Sequence, residues 1–274
     1  GRIFSWTPID HITVPKDVAA WCARPQVTPV AMSKHGQAAL AKYDIDSVYI
    51  PHTVEKVFRP TEGGGRLMNV PDDHFVVMMN AANKGIAPTR KAFTENLLAL
   101  AHFMKAHDDV SLYLHTELNM AGGINLPELI EAAGLPKDRI HAPNAYAYRM
   151  AGYTDKDLAA MYSRADVLLA VSMGEGFGVP TVEAQACGTR VIGSNAAATP
   201  ELLADDCWAV DGQPEWNPMQ SAFWFRPHIL PIVEALEEAY NQPRGTSQVC
   251  VDKAKEYAAE TVIKRDWFPL LEAS

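Results

Sequence analysis

Apolar runs of strand length alternate with helical patterns along most of this chain, and that alternation limits the fold more than any other feature. Segments 2–6, 30–33, 47–50, 74–80, 110–115, 139–141, 166–172 and 190–193 read as strands. Between them, 90–107, 155–165 and 227–242 carry apolar residues at three- and four-residue steps, the helical period. Strands separated by helices predict an α/β chain with a parallel sheet. The Gly- and Pro-rich stretch 59–73 reads as a loop. The pattern before residue 50 is short and the one after it is complete. This predicts a partial N-terminal domain (1–50), a Rossmann-like domain (51–258) and a C-terminal helix (259–274) packing back toward the N-terminal part.

Composition narrows the function classes. A net charge of −9 argues against nucleic acid as a partner, because phosphate-backbone binders carry basic surfaces. Cys22, Cys187, Cys207 and Cys250 show neither C-x-x-C nor zinc spacing, which predicts free thiols in a reducing compartment. With no apolar run of about 18 residues, the expectation is a cytoplasmic protein. The chain opens on Gly1 and enters at once on a strand-like run, as if in the middle of a domain.

The stretch GEGFGVPTVEAQACGTRVIG (174–193) follows the run ADVLLAVS and reads as strand, glycine loop, helix, with Pro180 in the helix's first turn. In open α/β sheets ligands sit at the carboxyl ends of the strands, and the loop NAANKGIAPTRK (80–91) occupies an equivalent place. A helix N-terminus attracts phosphate, and Gly176 and Gly178 let backbone approach a ligand closely. Glu175 ahead of the loop and Glu183, expected in the first turn, would accept hydroxyl hydrogen bonds on either side of that phosphate. A ligand with a sugar at each end of a diphosphate is a nucleotide sugar. Lys84 would supply the cation, with Arg90 and Lys91 as helpers.

EGFGVPTVEAQACGTRVI resembles the E-x7-E segment of the retaining GT-B glycosyltransferases of group 1, which include glycogen synthases and many mannosyltransferases. VYIPHTVEKVFRP is similar to that family's interdomain passage, NKGIAPTRKAF to its phosphate-binding lysine loop, LAAMYSRADVLLAVSMGEGFG to its approach to the donor site and ATPELL to its following helix. The resemblance implies a GT-B fold, a Rossmann-like donor domain with a truncated N-terminal partner, and metal-independent transfer of a sugar with retention. It needs no cofactor beyond a UDP- or GDP-linked donor as substrate. By the same resemblance Glu175 would contact the transferred sugar and Glu183 the ribose. Backbone around Gly176, Phe177, Gly178 and Val179 would hold sugar and phosphate, Lys84 the leaving diphosphate with Arg90 beside it, and His11 would lie near the sugar. The chain departs from the family at Met78, where an arginine six residues before the lysine is usual, and at Pro51-His52-Thr53-Val54-Glu55, where the family has PNGVD.

The acceptor is open: a glycan, a lipid or a protein. A homo-oligomer, or a second chain supplying the N-terminal half, would complete the enzyme, and the alternative is a nucleotide-sugar-binding module without activity alone. Two D-x-D strings, 44–46 and 155–157, sit before a strand and at a helix start rather than after a strand, so no metal site is expected. Tyr146 or Tyr148 could stack on a base, and the tryptophans of 207–228 could form an acceptor or oligomer surface.

Overall fold

The computed structural model describes residues 1–85, 89–150 and 152–272. Among the described residues eleven strands form three sheets: β1 (Ile3–Thr7), β2 (Val27–Ala31), β3 (Val48–Tyr49), β4 (Phe75–Asn80), β5 (Val110–His115), β6 (Ile140–His141), β7 (Val167–Ala170), β8 (Arg190–Ser194), β9 (Trp208–Val210), β10 (Gly212–Asn217) and β11 (Ala222–Pro227). The central sheet is parallel throughout, in the order β6-β5-β4-β7-β8-β9. The order in which strands are added reverses between β4 and β7, the doubly wound arrangement that opens a crevice beyond the carboxyl ends of those two strands.

Both faces of this sheet are covered, which is why its strands read as unbroken apolar runs. Along β4, Phe75, Val77 and Met79 enter the core beneath the helices Phe93–Phe103 and Ile229–Tyr240. Val76 and Met78 enter the opposite core, with Tyr162, Leu168 and Val182. That two-residue alternation explains the departure at Met78. Its side chain is fully buried among apolar groups, where an arginine would lose its hydration without a partner.

The structure differs from the sequence expectation in several elements. The second strand begins at Val27 rather than 30. The stretch 59–73 contains the helix Gly64–Met68, packed so closely on Asp155–Arg164 that a Cβ at Gly64 would stand 2.0 Å from the Ala160 carbonyl oxygen. The glycines there serve helix contact as well as a turn. β9 and the antiparallel hairpin β10–β11 were not anticipated, because Pro214, Pro227 and the consecutive aromatics Phe223, Trp224 and Phe225 mask the strand pattern.

β1, β2 and β3 form a small parallel sheet of their own. Helical segments over 259–272 pack on it through Val262, which is buried with Val30 and Ile50, and through Trp267 against Trp6. No helix among the described residues is long and apolar enough to cross a membrane.

Candidate functional site

The loops after β4 and β7 face each other across the crevice, which is lined by Asn80, Ala81, Lys91, Glu175, Gly178, Pro180 and Thr181. The helix Val179–Ala186 starts here, with Pro180 in its first turn and Gly178 as its N-cap. Gly178 has φ 112°, left-handed backbone that a side chain would strain. Gly176 is needed for a different reason: a Cβ there would lie 2.3 Å from the Pro8 Cβ, so its open side is filled by the N-terminal part. Gly174 is equally tight, its virtual Cβ lying 1.8 Å from the Asp10 carbonyl oxygen. The loop after β1 is thus seated directly on the glycine loop.

Glu175 is the electrostatic centre. Its Oε1 accepts from Lys91 Nζ at 2.5 Å and its Oε2 from Arg90 Nη1 at 3.1 Å. Arg90 Nη1 also donates to the Gly174 carbonyl at 2.6 Å, and Arg90 Nε lies 3.9 Å from Asp10 Oδ2. Burial would raise the Glu175 carboxyl, but Lys91 and Arg90 outweigh it and hold it below the ordinary carboxylate value. Asp10 in turn pairs through Oδ1 with His11 Nδ1 at 2.7 Å. Burial acts upward on Asp10 as well, and the His11 hydrogen bond with the nearby Arg90 brings it down.

His11 lies in the loop beyond β1, which ends at Thr7, and is 1% exposed. Its ring stacks on Trp224 of β11 at 5.5 Å, and its Nε2 is buried with no hydrogen-bond partner among the described residues. The hairpin is held there by Ile12 N donating to Phe223 O, by Phe225 N donating to Met173 O, and by Arg226 pairing with the buried Glu95. Nothing in the spacing of the tryptophans announced this contact with the glycine loop.

Glu183 is the fifth residue of its helix, in the second turn rather than the first. Its Oε2 accepts from the Tyr162 hydroxyl at 3.0 Å, and that hydroxyl accepts from Asn80 Nδ2 at 2.7 Å. Burial raises the Glu183 carboxyl to about 7, against the opposing Tyr162 hydrogen bond and with repulsion from Asp155 adding to the rise. Asn80 and Asp10 thus stand beside the expected residues, and Lys91, expected as a helper, pairs directly with Glu175. Asn80 is the last residue of β4 and Asp10 is the chain neighbour of His11, which is the signal that could have promoted them.

Phe177 is buried and packs between His52 (5.9 Å) and Tyr257 (5.5 Å), so only its backbone is available to a ligand. Val179 opens the helix. Lys84 is exposed, and its amide donates to the Ala82 carbonyl, while the adjacent Asn83 is buried and tied to Glu117 O and to Ile124. The structure brings Lys91 and Arg90 to Glu175, and leaves Lys84 in the loop before residues 86–88, which lie outside the described residues. Tyr146 is 74% exposed, whereas Tyr148 packs its edge on His115. Asp157 closes a capping box with Thr154, an ordinary helix start.

Residues 85–216 match the family described as glycosyl transferases group 1. The chain is 30% identical over 151 residues to the MMP alpha-(1->4)-mannosyltransferase of Mycolicibacterium hassiacum, covering 55% of this chain and 31% of that protein. It is 33% identical over 97 residues to the D-inositol 3-phosphate glycosyltransferase of Paenarthrobacter aurescens, covering 35% of this chain and 22% of the relative. These alignments span about a third or less of the curated relatives' length. The sucrose-phosphate synthase of Thermosynechococcus elongatus superposes with a TM-score of 0.73 at 19% identity, over 94% of this chain and 61% of that one. Residues 85–216 are thus similar to the group 1 glycosyl transferases, and the chain has an α/β fold of the GT-B type.

Proposed function

We propose that this chain carries the donor site of a retaining glycosyltransferase that moves a hexose from a UDP- or GDP-linked donor to a glycan, lipid or protein acceptor. The observation that carries the reading is Glu175 held between Arg90 and Lys91 at the switch point of the sheet, beside the start of the helix Val179–Ala186. A helix N-terminus and two cations facing one crevice form an anion site. Acids on either side of it, Glu175 and Glu183, suit the hydroxyls of the sugar and the ribose.

In this reading the diphosphate lies against the amides of Gly178 and Val179, with Arg90 and Lys91 neutralising its charge and Lys84 closing over it from the loop. Glu175 orients the transferred sugar, and His11, braced by Asp10, lies on the sugar side. The acceptor hydroxyl attacks on the face from which the diphosphate leaves, and the departing phosphate takes its proton. The protein's part is electrostatic stabilisation and positioning, with no metal or cofactor assigned a role. The names of the relatives favour a mannosyl or another hexosyl donor. The free cysteines favour the cytoplasm.

Thermal stabilisation across a panel of nucleotide sugars tests the reading, since a ligand of the folded state raises the melting temperature by mass action. Glu183→Ala should weaken nucleotide binding, and Glu175→Ala should chiefly damage transfer. Unchanged binding and turnover in both variants would overturn the assignment. Tight binding without turnover would favour the binding-module reading, in which another chain completes the enzyme.

A further inference from the structure

Away from the crevice, two thiols distant in sequence meet. Cys207 Sγ, in the turn before β9, lies 3.5 Å from Cys250 Sγ on the helix Gln248–Ala254. Cys207 is half-buried and Cys250 is fully buried. Cys207 Sγ accepts from the Val191 amide at 3.3 Å and lies 3.7 Å from Gln185 Oε1. The Cys250 thiol lies 3.3 Å from Asp206 Oδ1. We propose that Cys207 and Cys250 form an intramolecular disulfide under peroxide, with the half-exposed Cys207 reacting first and the buried Cys250 resolving it.

The geometry divides the two roles. Of the four cysteines only Cys207 is partly exposed, and a thiolate there is supported by the Val191 amide and by a hydrogen bond from Cys250. These contacts outweigh burial and bring the Cys207 thiol below the ordinary range, while the same contact together with burial pushes Cys250 up. The Cys207 thiolate attacks one peroxide oxygen and the O–O bond breaks. Sulfur is oxidised by two electrons to sulfenic acid, and the other oxygen leaves as hydroxide and becomes water. The Cys250 sulfur then attacks the Cys207 sulfur, the S–O bond breaks, and hydroxide leaves as water with the proton Cys250 gives up. Asp206 Oδ1 is the nearest acceptor for that proton. Two thiols and one peroxide yield one disulfide and two waters. The sulfurs must close by about 1.5 Å to reach bonding distance.

A cation at the same place is the weaker alternative. Asp206 Oδ2 is already occupied by Arg190 Nε at 3.1 Å and by Ser247 Oγ at 2.6 Å. Asp206, Cys207 and Cys250 supply three donors, one fewer than a closed zinc site takes. The other two thiols do not compete, since both are buried and burial pushes Cys187 up to about 12.

The test treats the purified chain with hydrogen peroxide, alkylates it and maps its peptides without reduction. The expected result is a linked pair containing Cys207 and Cys250 that has lost two hydrogens, with Cys22 and Cys187 still alkylated. Cys207→Ser should abolish the link. Cys250→Ser should leave a sulfenic acid at Cys207 that dimedone captures, a readout independent of cross-linking. First oxidation at Cys22 or Cys187, or sulfinic acid at Cys207 of the wild type without a link, would overturn the proposal. Stoichiometric zinc that shields both thiols would overturn it in favour of a cation site.

Discussion

In the proposed donor site, binding of a nucleotide sugar should strengthen as pH rises through about 7, because the carboxyl proposed to hold the ribose titrates there. Burial lifts Glu183 to about 7 from an ordinary value of 4.5, and the Tyr162 hydroxyl only partly opposes it. An ionised carboxylate accepts hydrogen bonds at both oxygens, and one oxygen is already engaged by Tyr162. Protonation turns the other into a donor and removes the acceptor the ribose requires. One pH unit below its midpoint about a tenth of the sites are ionised, so apparent affinity falls about tenfold there and by a similar factor per further unit. The same shift acts on folding in the opposite sense. Between pH 4.5 and about 7 the folded chain keeps the Glu183 proton that the unfolded chain has released, so stability declines as pH rises through this window. The full displacement corresponds to on the order of 3 kcal/mol.

Isothermal titration with a nucleotide sugar is the assay, because its diphosphate has no proton that titrates near neutrality. Wild type and Glu183→Gln are compared at each pH, so that other titrating groups cancel. Wild-type affinity should climb relative to the variant up to a plateau above about pH 7, and in unligated melts the wild type should lose ground to the variant over the same window. Parallel profiles in both measurements would refute the argument and would mean that Glu183 is ionised throughout or does not face the ligand.

Two further outcomes follow from the same contacts. Tyr162→Phe removes the donor to Glu183 and the acceptor of Asn80 without a change of shape, so the midpoint of the affinity profile should move alkaline and stability should fall by about 1–3 kcal/mol; an acid shift would contradict the direction assigned to that hydrogen bond. Gly176→Ala places a methyl 2.3 Å from the Pro8 Cβ, and the forced displacement should cost about 1–3 kcal/mol, seen as a lower melting temperature together with weaker donor binding; an unchanged melt would show that the N-terminal part is not seated on the glycine loop.

Much of the central sheet was legible because parallel strands buried on both faces announce themselves as apolar runs, and β4, β5 and β8 lie almost where the runs do. What escaped notice was built from contacts rather than periodicity. The helix Gly64–Met68 looks like a loop because it opens on glycines, and Gly64 is required by the Ala160 backbone pressing on it. The hairpin β10–β11 is short, polar on one side and held by partners as distant in sequence as Thr13 and Glu95. No window of sequence contains both ends of such a contact. The glycine loop was read as a ligand cradle at both Gly176 and Gly178, yet Gly176 faces Pro8, so only Gly178 keeps its conformational reason.

Within the site, the acids were easier to find than the cation that serves them. By sequence Lys84 takes the main role because it follows a strand and precedes a glycine, with Lys91 only its helper, and only folding shows that Lys91 reaches Glu175. That pairing also bears on the division of labour proposed between the acids. Glu175 has 13% of its side chain exposed, and both of its oxygens are taken by Lys91 and Arg90. A diphosphate that draws those cations away would leave a buried carboxylate unpaired, a costly state unless other donors replace them. The hydroxyls of the transferred sugar are such donors. A nucleoside diphosphate alone gains from the cations but strands Glu175, and the intact donor gains from both. In the proposed donor site, removing Glu175 takes away the group that would couple sugar to phosphate while leaving the cations free to hold a nucleotide, so Glu175→Ala should damage transfer more than nucleotide binding.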